Sequence, residues 1–386
     1  MTEHSLRNVS IVGIAQIPVL KKSPLSLREM GAQVVKMAME NAGVAQVDAL
    51  FAGNMLADEL QNQKHIATLI ASEAGLRGVE ALQVRAATAT GAAALRMAFF
   101  AIASGEANLA IALGVEKMSS APAAPVLAKA LDADHEAIHG ATLLSQNARV
   151  MQQYMETYRV PVSVFDNFAL NAHRNSRLNP NALFKDKLVT PEMVRDARVI
   201  TPPLRLYDSS PVCDGAAAVI LAPTDEARAY NDHPVKILAS SVATDWMRVA
   251  DRPNPLDLYA ARKSARKAFR RANINPLDVD FFELHDAFSI VSCLSLEAVG
   301  FAKAGEGWRL AADGEIFPTG RIPVSTMGGL KARGHPIGAT ALYQTCEIFL
   351  QLRQQAGPAQ IKNANVALLQ SVGGVGATVL THIFSN

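Results

Sequence analysis

Two hydrophobic patterns alternate along the chain. Residues 9–13 form a short β-branched run that predicts a strand, and residues 108–114 form a second buried strand. Between them, residues 26–42 carry apolar side chains at helical spacing, which predicts an amphipathic helix. The alternation predicts an α/β protein whose helices cover a mostly parallel sheet.

The pattern occurs twice. Residues 38–54 contain the end of a helix, a Val-Asp pair and a strand, and residues 268–286 repeat this order, with the second strand expected to end at His285-Asp286. A second matching pair, residues 88–95 and 335–342, follows in the same order, and each runs through a helix to a buried strand. Two matching pairs predict a duplicated α/β unit.

The middle of the chain, residues 119–203, fits neither copy and is richer in polar and turn-forming residues. It is therefore predicted to be an inserted loop domain. The first half is expected to comprise residues 1–118 and 204–230, and the second half residues 231–386.

Composition restricts the class of protein. Of 386 residues, 49% are hydrophobic and 19% charged, and the net charge is +2, which is typical of a globular protein and indicates no nucleic-acid partner. Three cysteines predict a reducing compartment, and the polar N-terminus shows no signal peptide, so we expect a cytoplasmic protein. Residues 89–114 are apolar but interrupted by Arg96 and Glu106, which predicts a buried helix and strand and no membrane span.

The duplication also predicts where a site would lie. Ligands in open α/β sheets bind beyond the carboxyl ends of strands, beside helix N-termini, and a two-fold pair of units brings two such ends together. Thr88 and His335 hold equivalent positions, each at the start of a helix. Gly334 before His335 and a proline after it predict a tight turn that presents the imidazole for proton exchange. The alternative is a histidine that only caps its helix.

Two further features carry candidate chemistry. His285 lies at a strand end before a helix; it is either a functional group or a core histidine paired with Asp286. Gly373 and Gly374 follow a buried strand in a glycine-rich turn that would let a ligand approach the backbone. The turn matches neither a P-loop nor a dinucleotide fingerprint.

Four segments together resemble the signatures of thiolases, in the order in which that family has them. They are residues 208–218, 283–288, 328–340 and 373–378. The resemblance extends from about residue 9 to the C-terminus and is strongest to the archaeal and sterol-carrier-type members. It implies the thiolase fold, with two similar α/β halves in a five-layer arrangement, an inserted loop domain, and a homodimer or homotetramer.

The same resemblance implies a coenzyme A thioester as substrate and no permanently bound cofactor. It implies His335 as the acid or base and His285 in an oxyanion hole, with Thr88 lining the acyl site. The motifs also contain the candidate substrate-binding residues, which are Gly334, Gly373, Gly374, Asp286 and Phe288.

The sequence departs from the family at its reactive cysteines. Thr88 stands where family members have the nucleophile, and the positions of the second reactive cysteine hold Ser371 and Ala287. Ser371 is therefore a candidate catalytic residue beside His335, His285 and Thr88. The three cysteines that remain, Cys213, Cys293 and Cys346, are expected to be small buried side chains. Because a threonine hydroxyl is far less acidic than a thiol, acyl transfer through a covalent intermediate is not expected.

Two functions remain open from the sequence. One is an enzyme that makes or breaks a carbon–carbon bond beside a CoA thioester without being acylated, for instance by retro-aldol cleavage. The other is a catalytically silent thiolase homologue that serves as a structural or regulatory subunit. Some thiolase-like aldolases also lack the cysteine and work with a small zinc-ribbon and OB-fold partner, but no motif here assigns the chain to them.

Two other patterns have a simpler interpretation. Residues 135–139 match the zinc-protease pattern HExxH, but a glycine follows at once and no third ligand is evident, so no metal site is expected. Arg262, Arg266 and Arg270 share a helical face, which we interpret as solvated, with a binding patch for CoA phosphates or a partner subunit as the alternative.

Overall fold

The computed structural model describes residues 6–386. The strands are β1 (Val9–Gln16), β2 (Ala49–Gly53), β3 (Glu80–Val84), β4 (Ala110–Lys117), β5 (Val199–Thr201), β6 (Leu204–Arg205), β7 (Asp214–Pro223), β8 (Val235–Thr244), β9 (Phe281–Glu283), β10 (Val366–Gly373) and β11 (Thr378–Ser385). The α-helices are α1 (Leu27–Ala42), α2 (Ala57–Leu60), α3 (Ile66–Ala74), α4 (Thr90–Ser104), α5 (Ala123–Ala128), α6 (Leu143–Tyr158), α7 (Asp166–Ser176), α8 (Pro191–Arg195), α9 (Tyr259–Ala272), α10 (Ser289–Val299), α11 (Gly307–Ala312) and α12 (Thr340–Leu352).

Local sequence determines where α1 begins and ends. The Ser26 hydroxyl accepts the N–H of Glu29 at 3.3 Å, and the Glu29 carboxylate accepts the N–H of Ser26 at 2.7 Å, which is a capping box. The helix ends at Gly43, whose φ of 66° is left-handed and suits a residue without a side chain. Its apolar face is buried against β1 and β7, so the helix predicted over residues 26–42 is confirmed.

Nine strands form one sheet in the order β3-β2-β4-β7-β1-β8-β11-β10-β9. The order is symmetric about the junction of β1 and β8: β1-β7-β4-β2 on one side corresponds to β8-β11-β10-β9 on the other. The duplicated halves predicted from the sequence are therefore confirmed. β3 is an addition to the first half and lies at the edge of the sheet.

The expectation of a mostly parallel sheet is wrong. Among the described strands of this sheet, β2 pairs in parallel with β3 and β4, and β9 with β10, whereas the other five pairings are antiparallel. The last strand of each half is the cause. β11 follows β10 after a turn too short for a parallel crossover, and β7 takes the equivalent place beside β4.

The strands of each half form one layer, and three layers of helices complete a five-layer arrangement, as expected. α1 and α3 pack together outside the first half, and α9, with α10 beside it, covers the second. α4 and α12 form the middle layer, where they contact each other and strands of both halves. Residues 87–104 are long and apolar enough to cross a membrane by composition alone, but here they include the core helix α4.

The segment from residue 119 to 203 contains α5 to α8 and β5. α6 packs on α10, and α7 packs on one turn of π-helix at Gly329–Arg333. Tyr154 and Phe165 join the hydrophobic core of the second half. The division into two halves and an inserted domain at residues 118, 203 and 230 stays a prediction.

β9 is shorter than predicted. It ends at Glu283, because the N–H of Leu284 turns back to Phe282 and that of Asp286 to Leu284, which removes both residues from the ladder. His285 and Asp286 therefore lie in the turn that leads to α10 instead of ending the strand.

Candidate active site

A cavity of about 350 Å³ lies beyond the carboxyl end of β10. The turns leading into α4, α10 and α12 form its floor, and α6 and the loop of residues 209–212 form part of its wall. Most of its lining is apolar, and two histidines, His285 and His335, are among its few polar groups. Such a concave, apolar site with a few convergent polar groups is typical of a binding site for a small molecule.

Hydrogen bonds fix the ring of His335. Its Nδ1 lies 2.7 Å from the hydroxyl of Thr340, and that hydroxyl donates its single proton to the carbonyl of Pro336 at 3.1 Å. Nδ1 must then donate to Thr340, so we assign the proton of the neutral ring to Nδ1. Nε2 is left as an acceptor, the form required of a general base.

His285 complements this arrangement. The two imidazole rings are perpendicular, with centroids 5.2 Å apart. Nδ1 of His285 is buried and has no hydrogen-bond partner among the described residues. Because an orphaned buried N–H is the rarer case in proteins, we assign the proton to Nε2, the remaining ring nitrogen, where it can be donated to a ligand.

Both rings are neutral near pH 7. Burial, with a smaller contribution from the Lys331 ammonium, lowers the pKa of His285 to about 3. Burial, followed by His285 and the Arg333 guanidinium, holds the pKa of His335 well below 6.5. Lys331 is itself buried, where its ammonium donates to the carbonyl of Asp286 at 2.6 Å, and burial lowers its pKa to about 8.

Thr88 lies between the first helix of the middle layer and the glycine turn. Its hydroxyl donates to the carbonyl of Val372 at 2.6 Å and accepts the N–H of Gly374 at 3.0 Å. Its own N–H has no acceptor within residues 6–386. Ala87 before it has a φ of 48°, a left-handed conformation that is strained for a residue with a side chain and that is common beside functional groups.

The structure brings five of the predicted site residues to the cavity and leaves four behind it. Those that line it are Thr88, His285, Phe288, His335 and Gly374. Ser371 is buried within β10, and Asp286 accepts the N–H of Leu330 at 2.7 Å behind the cavity. Gly334 and Gly373 lie where there is no room for a side chain, because a Cβ would lie 2.6 Å from the Val19 side chain and 2.8 Å from the Ala86 carbonyl, respectively.

The three cysteines are buried, as expected from the sequence, and none lines this cavity in the described part of the chain. Burial raises the pKa of Cys213 to about 12, which keeps it a thiol. Its sulfur accepts the backbone N–H of His335 at 3.1 Å. Cys213 therefore helps to hold the histidine turn, a role that its loop position did not indicate.

Sequence reasoning missed Glu116, a buried carboxylate that joins the two halves. It accepts from Asn54 Nδ2 at 2.8 Å and from the backbone N–H groups of Met55 at 2.9 Å, Leu56 at 3.1 Å and Gly338 at 2.9 Å. Burial raises its pKa to about 7, an effect that the backbone donors oppose. The signal was a glutamate at the end of an otherwise apolar strand, which is unusual for a buried position.

The HExxH pattern and the basic helical face noted in the sequence both lie outside the cavity. His135 is exposed in a turn, 3.1 Å from Asp132, and His139 ends a short 3₁₀ turn, so the residues do not share an α-helix. On the basic face of α9, Arg262 pairs with Asp257 at 2.6 Å. Neither group contributes to the candidate site.

Comparison with known proteins shows the family to which the chain belongs. Residues 9–225 match the family described as "Thiolase, N-terminal domain", and residues 241–386 match "Thiolase C-terminal domain-like". The Acetyl-CoA acetyltransferase of Methanothermobacter thermautotrophicus is 41% identical over 383 residues, covering 98% of this chain and 100% of that protein. Sterol carrier protein 2 of Homo sapiens is 30% identical over 397 residues, covering 98% of this chain and 72% of that protein.

Among solved structures, the Ltp2-ChsH2(DUF35) aldolase has the same fold, with a TM-score of 0.85 over 97% of both chains at 21% identity. Fold and cavity thus define a duplicated α/β protein with an apolar cavity where the two halves meet. The chain belongs to the thiolase superfamily.

Proposed function

We propose that this protein is a thiolase-like enzyme that breaks or makes a carbon–carbon bond beside a CoA thioester without forming an acyl-enzyme. The observation that carries the proposal is the hydrogen bonding of Thr88, whose proton is directed to the carbonyl of Val372 and not to an imidazole. A hydroxyl needs an adjacent base to become a nucleophile. The two histidines, by contrast, are free to act on a ligand.

Retro-aldol cleavage of a 3-hydroxyacyl-CoA uses these groups directly. Nε2 of His335 takes the proton of the 3-hydroxyl group, the C2–C3 bond breaks, and the oxygen becomes the carbonyl of the departing aldehyde or ketone. The electrons of the broken bond form the enolate of the shortened acyl-CoA, and the proton returns from His335 to C2. The backbone N–H of Thr88 and the Nε2–H of His285 supply hydrogen-bond donors for the enolate oxygen. Electrostatic stabilisation of this kind is usually the largest single contribution to catalysis.

The relatives support CoA-thioester chemistry of this kind. Two archaeal relatives are named as acetyl-CoA acetyltransferases, and the solved neighbour is named as an aldolase with a second chain. The aldolase supports a version of the proposal in which this chain works with a partner protein. The loss of the nucleophile supports the second candidate, a silent structural or regulatory subunit.

Mass spectrometry of the protein and of the CoA pool separates these candidates. The purified protein would be incubated with 3-ketoacyl- and 3-hydroxyacyl-CoA thioesters and free CoA. We expect a shortened acyl-CoA, no adduct on the protein, and loss of activity in His335→Ala but not in the control His173→Gln, which changes a buried histidine outside the cavity. An adduct on Thr88 would refute the non-covalent route. An unchanged pool, even with any partner purified from the same host, would favour the silent subunit.

We also propose that the protein is a homodimer. β3 is an edge strand, and Leu82 on it is 50% exposed, while Met97 and Phe100 on the neighbouring α4 are 40% and 37% exposed. An exposed apolar edge strand is a pairing surface. Light scattering should give twice the mass of one 41.2 kDa chain, and Leu82→Lys should give monomers while Leu277→Lys, at a position 82% exposed elsewhere, should not.

A further inference from the structure

The deep wall of the active-site cavity separates it from a second, much smaller space. Asn147, Val291 and Val372 line both. The small space, of about 10 Å³, is otherwise lined mainly by apolar side chains such as Val150, Leu294 and Val375. Because Val372 also holds the Thr88 hydroxyl, this wall lies beside the reacting groups and not at the entrance.

Asn147 is the polar side chain in this wall, and its amide has a fixed orientation. Nδ2 donates to the carbonyl of Leu143 at 2.8 Å, which identifies the nitrogen, since a carbonyl can only accept. Oδ1 accepts no hydrogen bond from any part of the chain that the structure describes, although the residue is 2% exposed. Because Asn147 lines the cavity, this unpaired acceptor is available to a donor group on a ligand.

The first turn of α6 holds this asparagine in place. The Thr142 hydroxyl accepts the N–H of Ser145 at 3.0 Å, and the Ser145 hydroxyl accepts the N–H of Thr142 at 2.9 Å, which closes a reciprocal cap. Leu143 and Leu144, one turn before Asn147 in α6, present apolar surface to the cavity. A single acceptor on an apolar wall discriminates strongly between ligands that carry a donor and ligands that do not.

We propose that Asn147 determines specificity for the acyl group, by accepting a hydrogen bond from a hydroxyl or N–H group beyond carbon 3 of the chain. The preferred substrates are then acyl-CoA thioesters with a polar donor on the acyl tail, not plain alkyl thioesters. This inference rests on the proposed function only in taking the ligand to be a CoA thioester. Asn147 itself takes no part in the bond-breaking step.

Calorimetric titration tests the proposal without requiring turnover. The probes are 5-hydroxyhexanoyl-CoA and hexanoyl-CoA, which differ by one hydroxyl group on the tail. We expect the wild type to bind the hydroxylated thioester about tenfold more tightly, which is the usual net contribution of one hydrogen bond. Asn147→Leu should remove this preference, whereas Leu144→Ala, which changes the shape of the same wall but not its polarity, should retain it.

The outcomes are distinguishable. Equal binding of the two probes by the wild type, or an unchanged preference in Asn147→Leu, would overturn the role of Asn147 and leave the proposed function intact. Binding of neither probe by the wild type would overturn both. Thermal melting reports whether each variant is folded. Asn147→Ser serves as a second variant should the leucine variant not fold. It should also weaken the preference for the hydroxylated probe, because its shorter side chain withdraws the acceptor.

Discussion

Replacing Glu116 with glutamine should destabilise the whole protein, although the two side chains have nearly the same shape. Each carboxylate oxygen of Glu116 accepts two N–H groups: Asn54 Nδ2 and the Leu56 N–H on Oε1, and the N–H groups of Met55 and Gly338 on Oε2. A glutamine amide has one oxygen and one NH₂ group. Whichever way it is turned, two buried donors lose their acceptor and meet another donor.

The expected loss follows from that count. A buried polar group left without a partner costs about 1–3 kcal/mol, so two of them cost roughly 2–6 kcal/mol. For a chain of 386 residues, the entropy of unfolding is about 0.8 kcal/mol per kelvin near the midpoint, which converts this loss to a fall in Tm of about 3–7 °C. That is a substantial share of a typical stability of about 5–15 kcal/mol.

Differential scanning calorimetry at pH 8 measures the effect, with Glu106→Gln as the matched control because Glu106 is exposed. The control should melt within about 1 °C of the wild type, as surface substitutions usually do. An equally small change for Glu116→Gln would refute the reasoning. It would mean that the four donors find other partners, and that the carboxylate does not link the strand ends of the first half to the turn before α12.

Three other contacts, at Thr340, His382 and Thr88, also give testable expectations. Thr340→Val should lower kcat for the proposed cleavage by on the order of 100-fold with little change in KM, and should alter the pH–rate profile, because Nδ1 of His335 loses its acceptor. Thr340→Ser should restore both kcat and the profile, and an unchanged profile in Thr340→Val would contradict the assigned tautomer. Burial lowers the pKa of His382 to about 3, so the unfolded chain binds the proton first as pH falls below about 6.5, and the free energy of unfolding decreases. His382→Leu should reduce this decrease between pH 6.5 and pH 5 by about 2 kcal/mol in urea unfolding. An equal pH dependence of the free energy of unfolding in the two proteins would argue against this. Thr88→Cys should place a thiol beside the Gly374 N–H and yield an acyl adduct at position 88 with a burst of free CoA. If mass spectrometry finds no adduct, the missing thiol is not the only feature that prevents acylation.

The sequence predicted the fold well because the fold is repeated. Residues 88–95 and 335–342 each contain the start of a helix of the middle layer, and their similarity located both helix starts and the cavity between them. It did not predict strand direction, because hydrophobic runs look alike in parallel and antiparallel strands. The short turn between β10 and β11 sets the direction, and its consequence for the whole sheet becomes visible only in the pairing.

The site was predicted in part. His285 and His335 follow from local glycine, proline and strand patterns, but the partners that assign their protons do not. Thr340 acts through a hydroxyl one turn away along the chain, and Asn147 arrives from a helix far away in the sequence. Such side chains have no local pattern that distinguishes them, because their role depends on contacts made only in the folded protein.

The symmetric strand order also has a consequence for the order in which the chain folds. β8 and β10 lie far apart along the chain, and β11, which follows both, lies between them in the sheet. The two strands have no common neighbour until β11 pairs with each of them, so the second half cannot close its sheet from the residues up to β10 alone. A nascent chain therefore exposes these two strand edges until β11 has been made, and deleting β11 should abolish the cavity although none of its residues lines it.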